Sequence, residues 1–109
     1  MIDLIQNNIN AIADACRQHH VKELFLFGSA ARRGDFTESS DIDILVNFEN
    51  LPLDTNEQIF YIVENRDKFQ ERLKEIFKRN IDLLEESKIS NKYLRYFINK
   101  DKKLLYEVS

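Results

Sequence analysis

The sequence predicts an α+β fold, a small mixed β-sheet of about three to four strands with helices packed against it. Three observations lead there. Apolar residues recur at helical spacing in three stretches, short apolar runs of strand length lie between them, and 109 residues suit one domain rather than two. Because helices separate the strands, the layers are helix on sheet. One Pro and two Gly leave little room for linkers, and no repeat or low-complexity segment interrupts the chain, so residues 1–109 read as a single domain. A radius of gyration of roughly 13 Å follows for a compact chain of this length.

The elements follow in order. Ile2, Ile5, Ile9, Ile12 and Cys16, with Ala13 beside them, keep a helical period, so residues 3–18 form an amphipathic helix. His19 and His20 fall where it ends, placed to interact with its negative pole. Glu23 to Phe27 is short, apolar and aromatic and stops at Gly28, which reads as a buried strand entering a turn. Ser29 to Arg33 suits a short helix capped by Ser29, and residues 34–40, rich in turn formers, an exposed loop. Asp41 to Phe48 is the second strand. Side chains alternate along a strand, so Asp41, Asp43 and Leu45 share one face, and Ile42, Ile44 and Val46 take the other.

Leu51-Pro52-Leu53 is a connection, after which Asp54 or Thr55 can cap a helix. Phe60, Val63, Phe69, Leu73, Ile76 and Phe77 carry its period to about Asn80, with room for a break near Asn65 to Asp67. Ile81 to Leu84 is a third strand bearing Asp82. Asn91 to Asn99 is helical, with Tyr93, Leu94, Phe97 and Ile98 inward, and Leu104 to Val108 is a final edge strand. Tyr61, Tyr93, Tyr96 and Tyr106 read as half-buried core aromatics, and Glu38, Glu49, Glu85 and Glu86 as surface charges.

Composition narrows the function. A net charge of −3 argues against a general affinity for nucleic acid, which needs a basic surface to neutralise phosphates. Lys88, Lys92, Arg95, Lys100, Lys102 and Lys103 do crowd the last quarter, as a solvated helix face or as a docking surface for a partner or a triphosphate. The single Cys, Cys16, excludes an internal disulfide and lies on the apolar stripe of the first helix. No basic segment precedes an apolar run at the N-terminus, and no stretch approaches the roughly 20 apolar residues of a membrane span, so a cytoplasmic protein is expected.

The acidic residues carry the chemistry. Two carboxylates projecting side by side from the start of an otherwise apolar strand can share hard divalent cations through oxygen ligands. A glycine that ends a strand lets backbone approach an anion, and the N–H groups of the following helix start point at it, with the Ser29 hydroxyl as a further donor. Two Mg²⁺ ions among Asp41, Asp43 and Asp82 would stabilise the attacking and leaving oxygens of a displacement at phosphorus, and Asp82 could accept the proton of the attacking hydroxyl.

Leu26-Phe27-Gly28-Ser29-Ala30-Ala31-Arg32-Arg33, followed by Ser39-Ser40-Asp41-Ile42-Asp43-Ile44-Leu45-Val46, resembles the polymerase-beta-like nucleotidyltransferases, above all their smallest bacterial branch, the minimal nucleotidyltransferases. A Gly-Ser turn, a spacer, an acid-apolar-acid strand and a third acid on a later strand are all present in order. The resemblance implies ATP as substrate, with Gly28, Ser29 and Arg32 (or Arg33) at its phosphates and Asp41, Asp43 and Asp82 as metal ligands and catalytic acids. It also implies an antitoxin paired with a HEPN-domain ribonuclease toxin, acting by transferring AMP to a tyrosine of that partner. Two other readings stand beside this one. In the first, the chain neutralises a partner by binding alone. In the second, it is a nucleotidyltransferase acting on a small molecule, a role for which its size leaves no acceptor domain. The same small size implies that acceptor binding comes from a partner or from homo- or hetero-oligomerisation.

Overall fold

A computed structural model describes residues 2–28, 31, 41–50 and 56–108. Its elements run α1 (Ile2–Gln18), β1 (Val21–Phe27), β2 (Ile42–Phe48), α2 (Asn56–Phe77), β3 (Ile81–Glu85), a 3₁₀ turn (Glu86–Lys88), α3 (Lys92–Asp101) and β4 (Lys103–Glu107). The four strands form one sheet in the order β3-β2-β1-β4. β1 pairs antiparallel with both β2 and β4, whereas β2 and β3 are parallel, so the predicted mixed sheet is present. The radius of gyration is 14.1 Å, close to that expected for a compact chain.

The two faces of the sheet have different burdens. Leu24 and Leu26 of β1, Ile42, Ile44 and Val46 of β2, and Ile81 and Leu83 of β3 turn to one side. There they meet Ile12, Ala15 and Cys16 of α1 and Phe69, Leu73 and Phe77 of α2, all buried. On the other side Phe25, Phe27, Leu45 and Leu84 pack with Ile89 and with Ile98 of α3. That second cluster covers only part of its face. The starts of β2 and of β3 carry Asp43 and Asp82. Cys16 is buried as expected, and burial pushes its thiol up to about 12, the neighbouring Arg17 working weakly the other way.

Helix ends are set by local chemistry. The Asn91 side chain accepts from the backbone N–H groups of Tyr93 (2.9 Å) and Leu94 (3.2 Å), capping α3. With glycine scarce, α1 and α2 stop through left-handed residues of other types, His20 (φ 58°) and Lys78 (φ 56°).

Several expectations need correction. α2 is continuous, without a break at Asn65 to Asp67. Asn65 instead accepts through its amide oxygen from His19 Nδ1 at 2.9 Å and donates through its amide nitrogen to the His19 carbonyl at 2.8 Å, so that histidine ties α1 to α2. His20 likewise meets the Tyr61 hydroxyl at 3.2 Å. Phe60 and Val63 are exposed, as are Tyr61, Tyr93, Leu94, Tyr96 and Phe97, because α3 reaches the sheet through Ile98 and the α2 core contacts begin at Phe69. Ile9 also lies outside the core. Glu85 is no surface charge: its side chain is 11% exposed and holds both Arg66 (3.3 Å) and Lys88 (2.7 Å). The expected short helix at residues 29–33, the loop at 34–40 and the caps Asp54 and Thr55 lie outside the described residues.

Candidate active site

Strand direction gathers the acids. β1 ends where β2 begins, because the two are antiparallel, and β3 begins at the same end, because it is parallel to β2. The register then places Phe27 opposite Asp43, and Asp43 opposite Asp82, in one row across three strands. Neighbouring strands lie about 4.8 Å apart, so the Asp43 and Asp82 carboxylates leave the sheet side by side. Asp41 stands just before β2, two residues ahead of Asp43. Asp43 is half-buried, whereas Asp41 and Asp82 are exposed.

Gly28 completes this end of the sheet. It adopts φ +67°, and Ala31 donates its backbone N–H to the Gly28 carbonyl at 3.1 Å, so the chain turns as it leaves β1. A Cβ on Gly28 would run into the Asp43 carboxylate, lying 3.2 Å from its Cγ. Glycine is required here twice over, by the left-handed backbone and by the acid it faces. Ser29 and Arg32, expected to contact phosphate, lie outside the described residues, as does Arg33.

The donor set fits a hard divalent cation such as Mg²⁺. It consists of carboxylate oxygens at adjacent register positions, beside a glycine turn with room for nothing larger. Among the described residues, no three His, Cys, Asp or Glu side chains gather tightly enough to hold an ion alone. Mg²⁺ usually draws only one or two protein carboxylates and completes its shell from water and substrate phosphate.

Two further residues touch this region without any sequence signal to mark them. Gln70 donates to the Ile81 carbonyl at 2.8 Å and Arg66 to the Leu83 carbonyl at 2.9 Å, the carbonyls of the two residues that flank Asp82. Both sit on the polar flank of α2, where composition alone reads them as solvated.

A four-stranded mixed sheet with two helices on one face, and on the other a third helix together with acids and a glycine turn at one end, is the architecture of a nucleotidyl-transferring domain. The chain belongs to the nucleotidyltransferase domain family, whose model matches residues 9–105, and it is a nucleotidyltransferase of the polymerase-beta-like fold. Two proteins of Methanocaldococcus jannaschii, each bearing the name "putative protein adenylyltransferase", are similar to it. One is 38% identical over 96 residues, covering 78% of this chain and 92% of the relative. The other is 33% identical over 84 residues, covering 77% and 76%.

Solved structures share the fold. A minimal nucleotidyltransferase, itself provisionally assigned, superposes with a TM-score of 0.71 at 22% identity, covering 93% of this chain and 92% of the other. A toxin-antitoxin structure with AMP-PNP gives 0.66 at 23% identity, covering 94% and 75%. A tri-AMPylated HEPN toxin of Shewanella oneidensis in complex with its MNT antitoxin gives 0.61 at 22%, covering 95% and 73%. At such identities the likeness is one of fold. Among the described residues, no helix is long and apolar enough to cross a membrane.

Proposed function

We propose that the acidic end of the sheet transfers AMP from ATP to a protein hydroxyl, a tyrosine of a HEPN-type ribonuclease toxin, and so acts as that toxin's antitoxin. The observation that carries this reading is the row Phe27–Asp43–Asp82, with Gly28 closed against the Asp43 carboxylate. Support for a protein acceptor comes from the names of the M. jannaschii relatives and from the fold shared with an antitoxin bound to an AMPylated toxin. Large apolar side chains at the surface agree with it. Phe60, Tyr93, Tyr96 and Phe97 are each at least 60% exposed, side chains of the kind that protein interfaces use.

In this reading the acceptor oxygen attacks the α-phosphorus of ATP. The bond to the bridging oxygen of the β-phosphate breaks, pyrophosphate leaves, and the hydroxyl proton passes to the Asp82 carboxylate. Asp41, Asp43 and Asp82 would hold divalent ions, which when bound neutralise charge on the triphosphate. Gly28, Ser29 and Arg32 would seat the phosphates, Gly28 by letting the backbone come close and Arg32 by charge.

The test is label transfer. The purified protein, Mg²⁺ and α-labelled ATP are incubated with lysate of the source cell, beside an Asp43→Asn variant. A labelled protein band that vanishes with Asp43→Asn is expected. A band that persists with the variant refutes the catalytic assignment. Absence of a band in both lanes, with ATP bound, points to a small-molecule acceptor, and without ATP bound, to a module that acts by binding alone.

A further inference from the structure

β3 is an edge strand, and it carries Asp82. Ile42 donates its backbone N–H to the Asn80 carbonyl at 3.0 Å, so Asn80 turns its backbone toward β2, and by alternation Asp82 and Leu84 do the same. Ile81 and Leu83 therefore turn theirs outward, to an edge with no further strand among the described residues. An open edge of this kind is free to fray or to shift register. Here the outward carbonyls are taken, one by Gln70 at 2.8 Å and the other by Arg66 at 2.9 Å.

The two donors stand four residues apart on α2, one turn along a single helix face. Their spacing matches the two-residue step between outward carbonyls of a strand. α2 itself is anchored by Phe69, Leu73 and Phe77 in the main core, so the donors are mounted on a fixed element. Arg66 is fixed in turn by the Glu85 carboxylate, 3.3 Å from its Nε, at the end of the same strand. A planar guanidinium can serve Leu83 and Glu85 together, which a lysine ammonium cannot do in the same geometry.

We propose that Arg66 and Gln70 are positioning residues, a two-point clamp that holds the carbonyls of Ile81 and Leu83, the residues on either side of Asp82, and so fixes its carboxylate in the row with Asp43. Neither touches the reacting groups; both act through β3. The proposal rests on the assignment of Asp82 to the site.

The test uses Gln70→Met, which leaves every charge in place, and Arg66→Lys, which keeps the charge opposite Glu85 and loses the fork. Amide hydrogen exchange is read at Asp82 and Leu84, the global unfolding midpoint in urea is read separately, and label transfer from α-labelled ATP is measured in the same lysate over a range of ATP concentrations. Loss of one such hydrogen bond is expected to speed exchange at Asp82 and Leu84 about five- to tenfold, with the amides of β1 unchanged. The maximal transfer rate falls by a similar factor while the ATP concentration for half-maximal rate holds, because a misplaced base affects the reaction more than nucleotide binding.

Unchanged exchange in both variants overturns the clamp, whatever transfer does. Faster exchange with an unaltered maximal rate overturns its role in positioning, as does a rate loss that merely tracks the global midpoint. An Asp82→Asn control separates this inference from the reading beneath it. Wild-type transfer by Asp82→Asn would remove Asp82 from the reaction, while the exchange data would still decide whether Arg66 and Gln70 hold the strand.

Discussion

At the scale of single residues, Gly28 is the most constrained position. Its φ of +67° favours glycine, and its missing side chain is space taken by the Asp43 carboxylate. Alanine there must shift either the turn or the acid. Gly28→Ala is expected to remain folded, at a stability cost of about 1–2 kcal/mol in urea denaturation for a side chain forced into left-handed backbone. Transfer of label from ATP is expected to fall by at least about a hundredfold, as for displacements of about 1 Å at a reacting centre. A variant with native transfer would show that the turn does not shape the site. Much of this was legible in sequence: a glycine ending an apolar strand, then an acid pair two apart, names the positions. That Gly28 and Asp43 touch was not, because the contact depends on the antiparallel register of β1 and β2.

Among the elements, the strands were the easiest to read and the helix surfaces the hardest. Short apolar runs at Leu24 to Phe27 and at Ile42 to Val46, the latter broken only by Asp43, read as strands, and those strands are present. β1 begins two residues before the expected Glu23, because Val21 still pairs with Phe48 across a bulge. Helical period, by contrast, reports a stripe and not what faces it. Phe60 and Val63 keep step with Phe69 and Leu73, yet only the latter two reach the sheet. In α3 Ile98 alone is buried, the rest of its apolar residues facing outward. The end of α2 yields a prediction of its own. Lys78 is exposed and held at φ 56°, its N–H bonded to the Lys74 carbonyl at 2.7 Å, so glycine could take the position without strain. Lys78→Gly is expected to raise stability by roughly 0.5–1 kcal/mol, the relief of left-handed strain outweighing the entropy of a freer unfolded chain. A lower urea midpoint would show that Lys78 makes contacts worth more than that strain.

Across the whole molecule, the division of labour follows from sheet topology. One face is a packed core against α1 and α2, which leaves the other free to carry charge at one end and a small apolar cluster under α3 at the other. A parallel β2–β3 pair at one edge, with β1 antiparallel to β2, brings three strand ends together, and with them the carboxylates. The sequence order of the acids was readable from their spacing. Their common row was not, since it requires knowing that β3 pairs with β2 and runs the same way. The clamp on β3 was likewise hidden, because Arg66 and Gln70 bond to backbone atoms, and backbone acceptors leave no trace in composition.

The central claim is that this end of the sheet moves a nucleotidyl group rather than a terminal phosphate. Parallel incubations with α-labelled and γ-labelled ATP, each with the wild type and with Asp43→Asn, test it most directly. Label on the acceptor from the α-phosphate alone, with γ-label recovered as pyrophosphate and both signals lost in Asp43→Asn, is the expected result. Label reaching the acceptor from the γ-phosphate, or α-label transferred undiminished by Asp43→Asn, would contradict the account.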